Sequence, residues 1–291
     1  MRDPRLVRGA QVAVFLMVVT VAVGCGPSAG DDDVGDDAGI GDGNFPQLDS
    51  SWPWPDGANP DATPGFTGAV YAHSSSQLYK IDPHTLDVTL VAPFDWPTAL
   101  PDQMTDIALD KDANMVGISF DIVYSVNKDT AACTRLADLD RQFNGLSFIP
   151  GEEVGTGQEI LVGAALDGSV WRIEKSTGVS TQIGNYSGGF TSSGDIVSVK
   201  GFGTVATVKG GSGATDKLVR VDAITGVATL IGDTGVTDIW GLGFWEDKVY
   251  GFTDYNQFVL IDVDTGTSTL VKTGDVAWWG AGVTTSAPVI D

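Results

Sequence analysis

The sequence predicts an all-β fold, a β-propeller of five blades, on three observations. One hairpin unit recurs five times, its period fits four short strands, and the carboxyl end repeats a motif that the first copy lacks. The five copies are Leu78-Tyr79-Lys80-Ile81-Asp82, Val123-Tyr124-Ser125-Val126-Asn127, Val170-Trp171-Arg172-Ile173-Glu174, Leu218-Val219-Arg220-Val221-Asp222 and Phe258-Val259-Leu260-Ile261-Asp262. A Thr follows three residues after each polar end (Thr85, Thr130, Thr177, Thr225, Thr265), at spacings of 45, 47, 48 and 40. These periods are too long for leucine-rich or ankyrin units.

Each copy reads as strand, turn and strand. In Asp222-Ala223-Ile224-Thr225-Gly226 the carboxylate can accept hydrogen bonds from the turn's own amides, and Gly226 supplies a left-handed residue. Gly178 and Gly266 match it, whereas Leu86 and Ala131 do not, so a different turn is expected in the first two hairpins. Another strand pair lies upstream of each hairpin, clearest in Trp240-Gly241-Leu242-Gly243-Phe244-Trp245 and Lys248-Val249-Tyr250-Gly251-Phe252. The first copy begins at its second strand, Gly68 to His73. The carboxyl-terminal Trp279-Gly280-Ala281-Gly282-Val283 mimics an innermost strand and is expected to complete the first blade, removing exposed sheet edges.

Composition agrees. The 291 residues include 38 Gly and no long Ala/Leu/Glu/Lys stretch, which disfavours a helical fold. Acidic side chains number 38 against 16 basic ones, for a formal charge of −22, and no Lys or Arg occurs between Arg8 and Lys80. A nucleic-acid partner is therefore not expected, because a phosphate-tracking face needs clustered basic residues. Such a surface favours cationic partners or bound Ca²⁺, and no other cofactor is expected. Two Cys and two His leave little room for a disulfide framework, a zinc site or His-dependent catalysis.

The amino end reads as an address. Arg2, Arg5 and Arg8 precede the apolar run Val12 to Val23, a secretory layout too short to span a bilayer as a helix. Ala22-Val23-Gly24-Cys25 resembles the lipobox of bacterial lipoproteins. That resemblance implies cleavage after residue 24, lipid attachment at Cys25 and a membrane partner reached through that lipid. Gly26, in place of the Asp that favours inner-membrane retention, points to the outer membrane of a Gram-negative host and leaves cell-surface display open. Residues 31 to 61 hold nine Asp and no basic side chain. Such a tract repels itself and buries too little to fold, so 25–63 is expected to be an extended tether, 64–286 the propeller and 287–291 a tail.

The hairpin repeat resembles the Leu-Tyr-x-Ile-Asp-x-x-Thr-Gly units of secreted bacterial propellers, among them quinone-dependent dehydrogenases and lipoprotein scaffolds of outer-membrane assembly. Those families often carry a blade-docking Trp five residues after the turn Thr. Here the position holds Leu90, Arg135, Gln182, Leu230 and Leu270, which argues against a quinone enzyme.

Other motifs reduce to turns. Asp264-Thr265-Gly266 is the repeat's own hairpin and Asp233-Thr234-Gly235 opens an inter-blade loop, so neither reads as an aspartic-protease motif. Asp110-Lys111-Asp112-Ala113-Asn114 starts like a calcium loop, but Met115 stands where Gly is needed, and a hairpin turn is expected. Gly210-Gly211-Ser212-Gly213 lacks the context of a phosphate loop, and Cys133 reads as a small buried hydrophobe.

Position in the ring supplies the remaining candidates. Innermost strands start at one mouth of the channel, so the residues before them converge there: Asp106, Asn144, Asp195 and Asp238, beside Trp240 and Trp279. Carboxylates with aromatic faces suit a sugar, a cation or a peptide. The expected role is a non-enzymatic scaffold binding a protein or glycan ligand. The rival is a five-bladed glycoside hydrolase using Asp106, Asp195 and Asp238, which requires carboxyls facing each other across a sugar-sized gap.

Overall fold

The computed structural model describes residues 68–98, 101–209 and 214–290. Twenty strands form five four-stranded antiparallel sheets. Blade 1 contains β1 (Val70–His73), β2 (Gln77–Ile81) and β3 (Val88–Pro93). Blade 2 contains β4 (Asp106–Leu109), β5 (Met115–Ile118), β6 (Ile122–Val126) and β7 (Cys133–Asp138). Blade 3 contains β8 (Gly145–Ile149), β9 (Ile160–Ala164), β10 (Ser169–Ile173) and β11 (Ser180–Asn185). Blade 4 contains β12 (Thr191–Val199), β13 (Gly203–Lys209), β14 (Asp216–Val221) and β15 (Ala228–Asp233). Blade 5 contains β16 (Ile239–Trp245), β17 (Lys248–Thr253), β18 (Gln257–Asp262) and β19 (Ser268–Thr273). The last strand, β20 (Gly280–Gly282), pairs with β1 as Tyr71↔Gly282, Ala72↔Ala281 and His73↔Gly280. The fold is thus a five-bladed propeller whose carboxyl-terminal strand completes the first blade.

Burial falls from the axis outward. Strands β4, β8 and β20 are buried throughout, whereas β3 and β11 have no buried residue. Inner strands have sheets packed on both faces and so carry near-continuous apolar runs, the pattern expected of doubly covered strands. The core fills the spaces between blades; Phe244, Tyr250, Phe252 and Phe258 of blade 5 are its largest fully buried side chains. The Tyr250 hydroxyl donates to Pro83 O at 3.1 Å, tying blade 5 to the hairpin of blade 1.

All five outer hairpins use one turn, including the first two. Asp82 Oδ1 accepts from His84 N (2.8 Å) and Thr85 N (3.1 Å), Asn127 Oδ1 from Asp129 N and Thr130 N, and Asp222 and Asp262 do the same in later blades. The residue four beyond each of these, together with that after Glu174, donates its amide back to the carbonyl that opens the turn: Leu86, Ala131, Gly178, Gly226 and Gly266. Leu86 and Ala131 take φ of 60° and 58°, against 71°, 72° and 75° for the three glycines. The expectation of a different turn is therefore corrected. Side-chain hydrogen bonds and packing hold these two residues left-handed at a cost of roughly 1–2 kcal/mol each.

These turns also dock the blades. Each outer strand bulges at the same place, opposite the third strand's central residues. In β11 and β15 the residue after the bulge is Gly184 or Gly232, and the next blade's turn rests on it. A Cβ on Gly184 would lie 1.8 Å from Thr225 O, and one on Gly232 1.8 Å from Thr265 O. Backbone seated on backbone thus docks these blades where the sequence has no Trp to do so.

The segment after β20 is pinned to four blades. Thr284 bridges to Leu109 and its hydroxyl donates to Asp110 O (2.7 Å) in blade 2. Thr285 bonds Glu159 of blade 3 through its hydroxyl and accepts from Lys200 N (2.8 Å) of blade 4. Pro288 O accepts from Glu246 N (3.0 Å) of blade 5. Ala287 is buried, so the chain crosses the ring on the side opposite the starts of the inner strands.

Candidate functional site

The starts of the inner strands hold two layers of predicted residues, one sealed inside the ring and one at the surface. Among the described residues each inner strand ends its sheet on the channel side, so the N–H groups at its start need other acceptors. Asp106, the first residue of β4, supplies two: Oδ1 accepts from Ile107 N (2.8 Å) and Oδ2 from Leu146 N of blade 3 (2.5 Å). Asp195, within β12, repeats the arrangement with Ile196 N (2.6 Å) and Leu242 N of blade 5 (2.5 Å). Each carboxyl thereby joins its own blade to the next. Asp216, on β14, works similarly from two strands farther out, accepting from Ile239 N at 2.7 Å.

Asp106 and Asp195 are both 0% exposed and within hydrogen-bonding reach of each other. Burial raises both carboxyls out of the ordinary range, Asp195 to about 7 and Asp106 well upward, with the Asp195 charge adding to the rise at Asp106. The equivalent positions in the other three blades are Gly145, Gly241 and Gly280. A Cβ on Gly280 would stand 2.3 Å from Asp106 Oδ1 and 2.4 Å from His73 Nε2, so the ring has room for two side chains and not for a third at that point. His73, 0% exposed on β1, bonds Ser74 O through Nδ1 (2.9 Å) and directs Nε2 toward Asp106 Oδ1 at 3.7 Å. Burial pushes its imidazole down to about 4, so it stands neutral.

The surface layer holds the remaining candidates. Asp238 precedes β16 with φ of 55° and is bound by Lys209 Nζ at 2.5 Å. Asn144 precedes β8; its amide donates to Ala164 O (3.0 Å), and its Oδ1 is shielded without a partner among the described residues. Trp240 and Trp279 are half-buried and meet edge to face at 6.1 Å between ring centroids. Phe120, 41% exposed in the β5–β6 turn, meets Trp279 at 6.5 Å. Sequence reasoning passed over Phe120, although an aromatic inside the polar turn Ser119-Phe120-Asp121 was a legible signal. It also passed over the inward-facing His73.

The six candidates therefore separate. Asp106 and Asp195 act as inter-blade staples, while Trp240, Trp279, Asp238 and Asn144 stay near the mouth. The open, sugar-sized gap between carboxyls that glycoside hydrolysis requires is not formed by Asp106, Asp195 and Asp238: the first two are sealed and bound to backbone amides, and the third is ion-paired. Asp110 Oδ1 accepts from Asp112 N and Asn114 N, making 110–114 the expected hairpin turn. Cys133 is buried on β7, its thiol pushed up to about 12 by burial and the charges of Asp95 and Asp102. Cys25, the segments 1–24 and 25–63, and Gly210 to Gly213 lie outside the described residues.

No family model matches the chain, and no curated protein matches it. Among solved structures it is similar to a chain of a nidogen/laminin complex, at 8% identity over 76% of this chain and 100% of that one, with a TM-score of 0.47. It is also similar to a protein of unknown function from Bacteroides caccae, at 12% identity over 70% and 72% of the two chains, with a TM-score of 0.41.

Proposed function

We propose that this protein is a binding scaffold that works outside the cytoplasm, anchored to a membrane by a lipid on Cys25, and takes a protein or glycan ligand at the channel mouth. The observation that carries the binding reading is the aromatic group Phe120, Trp240 and Trp279, set partly exposed at the inner-strand starts beside the Asp238–Lys209 pair. Rigid aromatic faces bordered by a charged pair supply apolar contact area and orienting polar groups together, as binding sites commonly do. The anchor rests on the lipobox-like Ala22-Val23-Gly24-Cys25 and the acidic tract that follows it. Enzymatic hydrolysis is the weaker reading, because the two best-placed carboxyls are committed to backbone amides.

The test is thermal-shift measurement on the full-length protein against a panel of glycans and peptides, repeated with Trp240→Ala and Trp279→Ala. A ligand that raises the melting temperature by several degrees in the parent and in neither variant supports the mouth as its site. A shift that survives both substitutions refutes it. Cys25→Ser should move the protein from the membrane fraction to the soluble one; unchanged fractionation would refute the anchor.

A further inference from the structure

We propose that the ring is closed by a proton shared between Asp106 and Asp195, which makes the propeller's closure sensitive to pH. The geometry begins at Gly145-Leu146 of blade 3: Leu146 N–H donates to Asp106 Oδ2 at 2.5 Å, and a Cβ on Gly145 would stand 3.1 Å from Asp195 Cα. Two carboxyl residues from blades 2 and 4 thus converge on one dipeptide of blade 3, and both are closed off from solvent. Two adjacent buried carboxylates cannot both stay ionised at ordinary cost, so one proton between them is the arrangement that keeps all four amide bonds intact, two within a blade and two between blades.

Few other groups face the pair. Strands β8, β16 and β20 present Gly145, Leu146, Gly241, Leu242 and Gly280 there, none of which titrates. From β1 comes His73, and from the β11–β12 loop comes Tyr186, whose buried hydroxyl has no partner among the described residues and whose ionisation burial and the Asp195 charge oppose. Asp216 on β14, also raised by burial, lies two strands farther out with Lys209 and Asp238 near it.

The sign follows from proton counts. The pair binds more protons folded than unfolded, so stability falls as pH rises above the ordinary carboxylate range of about 4. His73 acts oppositely: it is neutral when folded down to about 4, whereas an unfolded His takes up a proton below about 6.5, so its contribution rises with pH between these values and is flat above them. The window from pH 6.5 to 8.5 therefore leaves His73 out; Asp216 and the Cys133 thiol, both also raised by burial, contribute alike to the parent and to variants of the pair, so the difference between their slopes isolates the carboxyl pair.

The experiment measures melting temperature across that window for the full-length protein, Asp195→Asn and Asp106→Asn. Either Asn keeps a side chain of the same shape and removes the shared proton. The parent should lose roughly 2 °C or more between pH 6.5 and 8.5, and the slope should at least halve in any variant that folds. A flat parent curve, or variant curves parallel to it, overturns the proposal. Infrared spectroscopy of the parent decides independently should neither variant fold. A protonated-carboxyl band at pH 7 that fades as pH rises supports the shared proton, and no such band at pH 7 refutes it.

Discussion

Replacing Gly232 by Ala tests whether the blades are held by backbone seated on backbone. The added methyl would lie 1.8 Å from Thr265 O and 2.8 Å from Thr265 C, both atoms of the next blade's turn. Ordinary contact needs more than about 3.2 Å, so the turn would have to withdraw by roughly 1.5 Å. That withdrawal also strains the links beside it, Ser268 N to Thr234 O at 3.3 Å and Ser268 Oγ to the same oxygen at 2.6 Å. Overpacking costs about 1–3 kcal/mol, and weakening two hydrogen bonds of about 1 kcal/mol each adds to it, for a total of roughly 2–4 kcal/mol. In a domain of this size that is about 5–15 °C of melting temperature. The control is Gly274→Ala, where nothing lies within 4 Å of the new methyl and little change is expected. Circular-dichroism melts of both variants decide the matter. A Gly232→Ala protein melting within about 2 °C of the control would refute the docking argument.

Three further outcomes follow from the same structure. Ala131→Gly relieves a left-handed residue but loses a buried methyl and gains unfolded-state entropy, so it should stay within about 1 kcal/mol of the parent in urea, whereas Gly266→Ala, which pushes toward Gly232 Cα at 2.7 Å, should lose about 2 kcal/mol or more. Deleting residues 284–291 removes hydrogen bonds to four blades at about 1 kcal/mol each and should lower the melting temperature by roughly 8–16 °C; a shift under 2 °C would show the segment to be idle. The Cys133 thiol should resist a thiol reagent at pH 8 until denaturant opens the fold, as followed by mass spectrometry at that residue, and labelling of the native protein within minutes would contradict its burial.

Local and global signals explain what could be read from the sequence. The outer hairpin was legible because its chemistry is contained in five residues: an Asx-type acceptor and the Thr amide three positions later recur in four of the five copies, and in the third Glu174 takes the acceptor's place and bonds Ser176 N instead. The same locality misled at Leu86 and Ala131, where the absence of Gly suggested another turn. Their φ values are imposed by that acceptor and by packing, neither of which a Gly-based rule counts. Asp106 and Asp195 pose the harder problem. A carboxylate at the start of an inner strand has the same sequence signature whether it faces a ligand or bonds the neighbouring blade, because its partners lie 40 and 47 residues away. One sequence feature nevertheless separates the two roles. Aligning the inner strands puts Asp106, Gly145, Asp195, Gly241 and Gly280 at one level, so two carboxyls share a ring whose other three members have no side chain. A ligand site would be better served by side chains from several blades, whereas a closed ring needs acceptors for its inward N–H groups and space for nothing else. Had the glycines been weighed with the aspartates, the pair would have read as the fastening of the ring, and the mouth would have been left to Trp240, Trp279 and the unregarded Phe120.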